Sequence, residues 1–471
     1  MKVLWFFPPS PLEGKVPLAY QNRWFKYLPN RTNAIYPTIA AYGATLIKNY
    51  GCDIDFLDCL ATPKGLVDIG IQDYDIVLTE SKTPIMPWLW RIREKLKEIA
   101  PNTKFVLYGD HAMCRPQESL DKGIDYVINC GDYDYGAFKL VEALDKGEVV
   151  NRDFRYPNLN NLDNLPFADR ILVPWQNYWE TWRHREKFGW YQSSRGCWAK
   201  CTYCSWTPTF YNYTHRSFSV KRIVDEIEFA AQKYGIEEFL DDADTFIPRW
   251  GVKFAQELEA RGMDILWDVQ ERADTVLTAS LEDWKLMRRS GLRILKIGVD
   301  GGSDYTFDRT RKGYNMKTVE ACFKLLKKAG LEIHLNMVMC FPWETEQDVN
   351  SMIKWVKKLR PNQAQFSIVQ PFIGTPIYQE SIDNNWFQFD PSDYERWDAT
   401  EPIIAEKMTA EQIKKMYRKA WKSFYFSPAF IARQLAKSLQ NSIKERNIDS
   451  FRHLWRGYKG VKDAHARVME G

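Results

Sequence analysis

The chain has 471 residues, which at roughly 150 residues per domain suggests two or three domains, each large enough to bury a real core. Its formal charge of +4 excludes a global field that would select nucleic acid, and an aromatic content of 15% argues against disorder. The balance is uneven. Residues 407–471 hold 15 Lys and Arg against 5 Asp and Glu, which fits a solvated helix face or contact with an anionic surface or substrate.

The opening apolar run stops at Pro8 and Pro9. It is too short for a signal-peptide core, and no other run reaches bilayer-spanning length. The nine cysteines are odd in number and scattered outside 197–204, which points to a reduced, cytoplasmic protein rather than a disulfide scaffold. Through residues 1–145, short apolar runs ("KVLWFF", "CDIDFLD", "YDIVLTES", "KFVLYGD", "DYVINCGD") alternate with amphipathic stretches such as "TIAAYGATLIKNYG" and "PWLWRIREKLKEIA". That pattern predicts an α/β domain whose parallel sheet is covered on both faces. Five strands predict a doubly wound, flavodoxin-like sheet, which binds ligands beyond its carboxyl ends, here the loops 8–11, 81–83, 109–111 and 131–133.

Residues 146–188 have weak periodicity and many Asn and Pro, and read as a linker packed across a domain junction. From 189 to 385 a helix four times ends on glycine with a strand at once after it: "KYGIEEFLDD", "ARGMDILWDV", "RSGLRILKIGV" and "KAGLEIHLNMVM". Glycine suits a position just past a helix end because it takes left-handed dihedrals without a Cβ clash. With "WYQSSRG" before and "AQFSIVQPF" after, about six βα units result, fewer than a closed barrel needs. The expectation is a partial (β/α)6 barrel with its active face at the carboxyl ends of its strands. Residues 386–471 read as a helical, basic C-terminal region. Thr409 and Gln412 form a capping box, Ser427 caps a helix opened by Pro428, and Ile431, Leu435 and Leu439 form an apolar stripe.

Three cysteines fall within "SSRGCWAKCTYCSW", residues 193–206, at spacing C-x3-C-x2-C. Three thiolates on one tight loop suit three irons of a [4Fe–4S] cluster and leave the fourth iron open to an outside ligand. Gly196 lets the chain turn sharply before them. Structural zinc, with His215 as fourth ligand, fits the spacing about as well. It does not explain why the loop follows the first strand of a six-unit βα array.

With an aromatic before the third cysteine, Cys197, Cys201, Tyr203 and Cys204 resemble the signature of radical S-adenosylmethionine (SAM) enzymes. The resemblance implies that SAM chelates the open iron, that Tyr203 lies by the adenine, and that a 5′-deoxyadenosyl radical forms on reduction by a donor such as flavodoxin or ferredoxin. "FLDDADTF" resembles the family's acidic turn and assigns the methionine amino group to Asp241 and Asp242. "VQERAD" puts Arg272 at the methionine carboxylate. "IGVDGGSDYTFDRTRKGY" resembles a Gly-(Ile/Val)-Glu-Ser-Gly-Ser turn followed by Lys-Gly. It adds Asp300 and Ser303, although Asp300 and Gly301 stand where Glu and Ser are usual. "MVMCFPWETEQD" resembles a Gly-Phe-Pro-Gly-Glu-Thr turn in which Cys340 and Trp343 replace the glycines.

A doubly wound domain ahead of such a barrel resembles the cobalamin-binding subclass, the class B methyltransferase-like enzymes. That likeness assigns cobalamin contacts to Pro9, Ser10, Ser81, Lys82, Thr83, Gly109, Asp110, Gly131 and Asp132. The loop "PPSPLEG" holds no histidine, so the cobalt would lack a histidine ligand on its lower face, and His111 reads as a hydrogen-bonding group. The implied activity is methylation of an unactivated carbon. The alternatives are ring closure, hydroxylation or rearrangement with the same cofactors, a first domain reduced to a scaffold, and a zinc-stabilised module whose basic tail grips nucleic acid or anionic lipid. Cys52, Cys59, Cys114 and Cys130 do not make a second cluster motif, which argues against a methylthiotransferase. The aromatics Trp198, Trp206, Tyr211, Tyr213 and Trp267 suit an apolar or planar substrate or corrin packing equally. The substrate itself has no signature in the sequence.

Overall fold

The computed structural model describes residues 1–12, 16–17, 27–28, 34–62, 70–180 and 183–445. Most of "PPSPLEG" is within this set, but its last residues, and the basic tail beyond 445, lie outside it. The first sheet is wholly parallel. Its strands are β1 (Lys2–Phe7), β2 (Asp53–Asp58), β3 (Ile76–Glu80), β4 (Lys104–Tyr108), β5 (Tyr126–Asn129) and β6 (Asp153–Arg155), in the order β2-β1-β3-β4-β5-β6. Val3 to Phe7 are all buried, because helices cover both faces and leave no strand side for polar residues. The α/β, doubly wound class is as expected. The sixth strand is not: it falls within the presumed linker. "DFR" is too short to show periodicity, and only Phe154 buries an apolar side chain, with charged residues on either side as befits an edge strand.

The rest of the 146–188 segment turns to the second domain. Leu159, Leu162, Leu165, Val173 and Tyr178 join one core with Trp190, Ile223 and Ile227 of the barrel, and Tyr36 and Tyr42 of the first domain belong to it too. The second sheet holds β7 (Phe188–Tyr191), β8 (Glu238–Asp241), β9 (Leu266–Arg272), β10 (Leu292–Gly298), β11 (Glu332–Met339) and β12 (Gln363–Ile368), parallel and in chain order. This is the six-unit open barrel. All four helix-ending glycines, Gly235, Gly262, Gly291 and Gly330, have positive φ. At Gly291 a Cβ would stand 1.9 Å from the Ile265 carbonyl oxygen, so only glycine lets strand follow helix there.

The C-terminal region forms helices Ala410–Tyr425 and Pro428–Glu445, and both expected caps are present. The stripe Ile431, Leu435, Leu439 is 45–54% exposed, contrary to its apolar pattern. The helix docks through a neighbouring face instead. Phe430 packs on Phe424, Gln434 donates to the Asn362 carbonyl, and Lys437 pairs with Glu332.

The two domains meet with the carboxyl ends of their sheets facing. Cys201, Tyr203, Trp206 and Phe210 belong to the same apolar cluster as β1, β3 and β4. A buried ionic cluster locks the contact. Arg195 donates to Asp132 at 3.0 Å and grips Asp134 through two nitrogens at 2.9 and 2.7 Å, with no side chain of the three exposed. Arg216 adds a 2.6 Å bond to Asp132. Burial alone would raise the Asp132 carboxyl, but Arg195 and Arg216 hold it below its ordinary range. Beside them, the chain at Gly131 runs against the Phe210 carbonyl, where a Cβ would come within 1.7 Å of the oxygen.

Gly131→Ala should therefore force the junction apart. The expected cost is about 1–3 kcal/mol, the usual range for overpacking, read as a lower denaturation midpoint with faster proteolysis between the domains. An unchanged midpoint would contradict the tight contact.

Candidate radical SAM site

The cluster loop begins where β7 ends. After Tyr191 the chain makes a short hairpin, Ser194–Gly196 with His215–Ser217, and turns out at Gly196, whose φ is +84° and whose amide donates to Asp244 at 2.7 Å. Cys197 to Cys204 follow. Thr202 fixes the loop from two sides: its amide donates to the Thr310 carbonyl at 3.0 Å, and its carbonyl accepts from Ile377 at 3.1 Å. All three cysteines are free thiols, Cys201 buried and the others half-buried. Burial pushes the Cys197 thiol up to about 11, so metal must displace a proton to bind there.

Among the described residues no three His, Cys, Asp or Glu side chains converge as a single ion requires. His215 lies against Trp198 and faces the Thr245 carbonyl.

Around the loop, the strand ends supply a ring of polar groups. Tyr203 donates to Asp300 at 2.7 Å, and Lys312 donates to Asp300 at 2.6 Å and to the Tyr203 oxygen at 3.0 Å. The other Asp300 oxygen accepts from the Val338 amide. Asp300 itself holds φ +54°, a conformation that non-glycine residues adopt at some cost. Arg272 donates to the Lys312 carbonyl at 2.8 Å and to Asp274 at 3.0 Å. Its Nε is buried without a partner among the described residues, which fits an incoming carboxylate. Lys312 and Arg272 are close enough to Cys201 for their charges to act on its thiol. Lys312, part of the recognised Lys-Gly but given no role from sequence, thus ties Tyr203 to Asp300.

The expected acidic pair divides. Asp241 is fully buried, and its oxygens accept from the Ser193 amide and hydroxyl and from the Ala243 amide. Burial pushes its carboxyl up to about 7. It braces the stretch leading to the cysteines. Asp242 is half-buried and near enough to Glu80 of the first domain to raise that carboxyl. Asp244, not singled out in the sequence, braces Gly196. Ser303 caps the helix Asp304–Arg309. Cys340, where glycine was expected, is buried at φ +62°, and Phe341 meets the Tyr203 ring edge-on at 5.6 Å.

The residues expected at cobalamin also separate. Lys82, Thr83 and Asp110 line one cavity with Gln370, Phe372 and Trp397, at the carboxyl ends of β3 and β4. Lys82 is buried between Asp110 at 3.2 Å and Glu80 at 3.4 Å, and its ammonium lies 5.3 Å from the Trp206 ring centre. Ser81 is buried and accepts from the Ala112 amide. Gly109, at φ +107°, passes the Ser81 carbonyl. Pro9 accepts from the Trp88 indole, and Ser10 bonds within its own turn. Gly131 and Asp132 are committed to the domain junction instead. Both ring nitrogens of His111 are engaged, by Thr83 and Glu118, as expected of a hydrogen-bonding group. Of the aromatics, Trp267 faces the helix layer, packed on Phe254, and does not line the site.

The Radical SAM superfamily matches residues 191–356, the span that opens at the cysteine loop. Residues 191–356 are a radical SAM domain. The chain is 28% identical to an uncharacterized methyltransferase of Pyrococcus horikoshii over 85% of its own length and 90% of that protein. It is 25% identical to an anaerobic magnesium-protoporphyrin IX monomethyl ester cyclase of Cereibacter sphaeroides over 83% of its length and 67% of that protein. Its fold matches the radical SAM methyltransferase TsrM of Kitasatospora setae, solved with cobalamin and a [4Fe–4S] cluster, at a TM-score of 0.63 and 14% identity, covering 91% of this chain and 89% of that one. The radical SAM domain implies a [4Fe–4S] cluster and SAM. Among the described residues no helix is long and apolar enough to cross a membrane.

Lys312→Met should leave Asp300 as an unpaired buried charge and destabilise the protein by about 3–5 kcal/mol. The double variant Asp300→Asn with Lys312→Met should recover most of that loss. Denaturation midpoints of the two check the coupling; equal losses would refute it.

Proposed function

We propose that this radical SAM enzyme methylates an unactivated carbon with cobalamin as a second cofactor. The observation that carries the reading is the meeting of two sites: the cysteine loop packs into the first domain's apolar cluster, and at the ends of β3 and β4 both domains wall a small cavity whose Lys82 lies over Trp206. The residue types there suit the surroundings of a corrin. Phe372 and Trp397 give flat apolar surface, Lys82 is held by two carboxylates, and no histidine stands in the described part of the first loop.

Cys197, Cys201 and Cys204 would hold the cluster. Tyr203, Asp300, Arg272 and Asp242 would surround SAM, with Arg272 Nε meeting its carboxylate. Asp241, Asp244 and Thr202 keep the loop in place, and the apolar contacts of Trp206, Phe210 and Phe341 exclude water. Bound there, the cofactors supply one-electron cleavage of a sulfonium and methyl transfer, chemistry no side chain performs. Pairing two cofactors across one junction explains why the junction is ionic, buried and closely packed. The likeness to methyltransferases in two comparisons supports methylation. The cyclase relative supports the second reading, ring closure with the same cofactors.

Oxygen-free reconstituted protein should form 5′-deoxyadenosine from SAM and a reductant, and Cys201→Ala should lose both the brown chromophore and that product. With methyl-labelled SAM, label in a product other than methionine, which keeps the methyl when SAM is cleaved, and other than the cobalamin itself marks methylation. Turnover with an unlabelled product marks the cyclase reading.

A further inference from the structure

The helix Pro428–Glu445 is held to the barrel by one side only. Phe430, Gln434 and Lys437 meet Phe424, the Asn362 carbonyl and Glu332. Those contacts lie at the amino ends of β11 and β12, the far end of the barrel from the cysteine loop. The other side of the helix faces solvent. Ile431, Leu435 and Leu439 are 45%, 48% and 54% exposed, and Ala432 and Ala436 between them are exposed too. From 426 to 439 no charged residue is exposed, because Arg433 and Lys437 are both half-buried. A surface helix ordinarily turns its charged face to water. This one turns an uncharged, apolar face outward.

The rim of that face is basic. Helix Met316–Lys328 ends on Lys327 and Lys328, and helix Glu346–Leu359 ends on Lys357 and Lys358, with Arg360 next. The two ends adjoin, since Lys327 donates to the Leu359 carbonyl. Arg433 reaches the same place. Partial burial and the charges of Arg433 and Arg360 hold the Lys327 ammonium below its ordinary range, and burial and Arg360 do the same to Arg433. Among the described residues none of these cations forms an ion pair, and Glu332 is taken by Lys437. Lysines at helix ends complement the macrodipole. That does not account for Arg433, which stands in the second turn of its helix against two like charges.

We propose that this face docks the enzyme on an anionic lipid surface, with Ile431, Leu435 and Leu439 entering the headgroup boundary and Lys327, Arg360 and Arg433 meeting lipid phosphates. A helix with an apolar stripe and flanking cations lies in the plane of such a surface, and its negative potential attracts Lys and Arg. The sequence beyond the helix has the same character. Residues 446–471 carry six Lys and Arg against three Asp and Glu, with Phe451, Trp455 and Tyr458 among them, and Trp and Tyr favour the headgroup level. Charge decides against other occupants. A second copy docked through the same patch would set these cations against their own copies, and the chain's own basic tail carries the same sign. Nucleic acid would need cations across the contact rather than an apolar centre. Docking by this face leaves the cysteine loop, at the opposite end of the barrel, uncovered.

The test is cosedimentation of the full chain with sucrose-loaded vesicles, made either of phosphatidylcholine mixed with phosphatidylglycerol or of phosphatidylcholine alone. The protein should sediment with the anionic vesicles and far less with the neutral ones, and raised salt should weaken the binding. Leu435→Asp should weaken it by roughly tenfold or more, the scale of one leucine kept from burial. Arg360→Gln combined with Arg433→Gln should weaken it by roughly fivefold per cation removed. Leu435→Asp should keep the wild-type thermal midpoint and yield of 5′-deoxyadenosine, since it touches no part of the radical site. Absence of binding to the anionic vesicles, equal binding to the neutral ones, or wild-type binding by Leu435→Asp overturns the proposal. So does a dimer in solution that Leu435→Asp disperses, which gives the face to a second copy, or retention on RNA or DNA with none on vesicles, which gives it to nucleic acid.

Discussion

Arg195 holds the molecule's chemistry in place. It stands two residues before the first cluster cysteine and is wholly buried against two aspartates of the other domain. A guanidinium taken from water in this way is tolerable only when its donors are met, and the forked grip on Asp134 meets them with a fixed orientation. The start of the cysteine loop is thereby tied directly to the end of β5. Arg216, Gly131 and the packing of Phe210 bring the same surfaces together, so the two sheets cannot slide without exposing a buried charge. The two-cofactor reaction proposed above would ask for this kind of constraint.

Around that fixed point the site is built from strand ends, each bracing the next. Asp241 and Asp244 hold the approach to the cysteines, Thr202 anchors the loop's middle, and Lys312 joins Tyr203 to Asp300. Little of this ring is free to adapt. Arg272 Nε is among the buried polar atoms left without a bond in the described residues.

Much of this was legible in the sequence where periodicity or spacing spoke. Five strands of the first sheet and all six of the second announced themselves as apolar runs, and the glycines past each helix end took the dihedrals expected of them. Cysteine spacing located the loop. What remained hidden depended on contacts distant in the chain. No local signal joins Arg195 to Asp132 and Asp134, 63 and 61 residues away, so the part that Gly131 and Asp132 play at the junction could not be read from the sequence. Asp241 and Asp242 are adjacent and chemically alike, and only their place at the end of the strand decides that one is buried and the other half-buried near Glu80. The stripe of Ile431, Leu435 and Leu439 shows the opposite failure, a helical period that does not coincide with the docked face.

The central claim is that three thiolates leave one iron of a four-iron centre for SAM. Mössbauer spectroscopy of oxygen-free, iron-57-reconstituted protein, with and without SAM, tests it most directly. The account predicts a four-iron centre in which a single iron changes its isomer shift when SAM is added. Absence of a four-iron centre, or four irons indifferent to SAM, would contradict it.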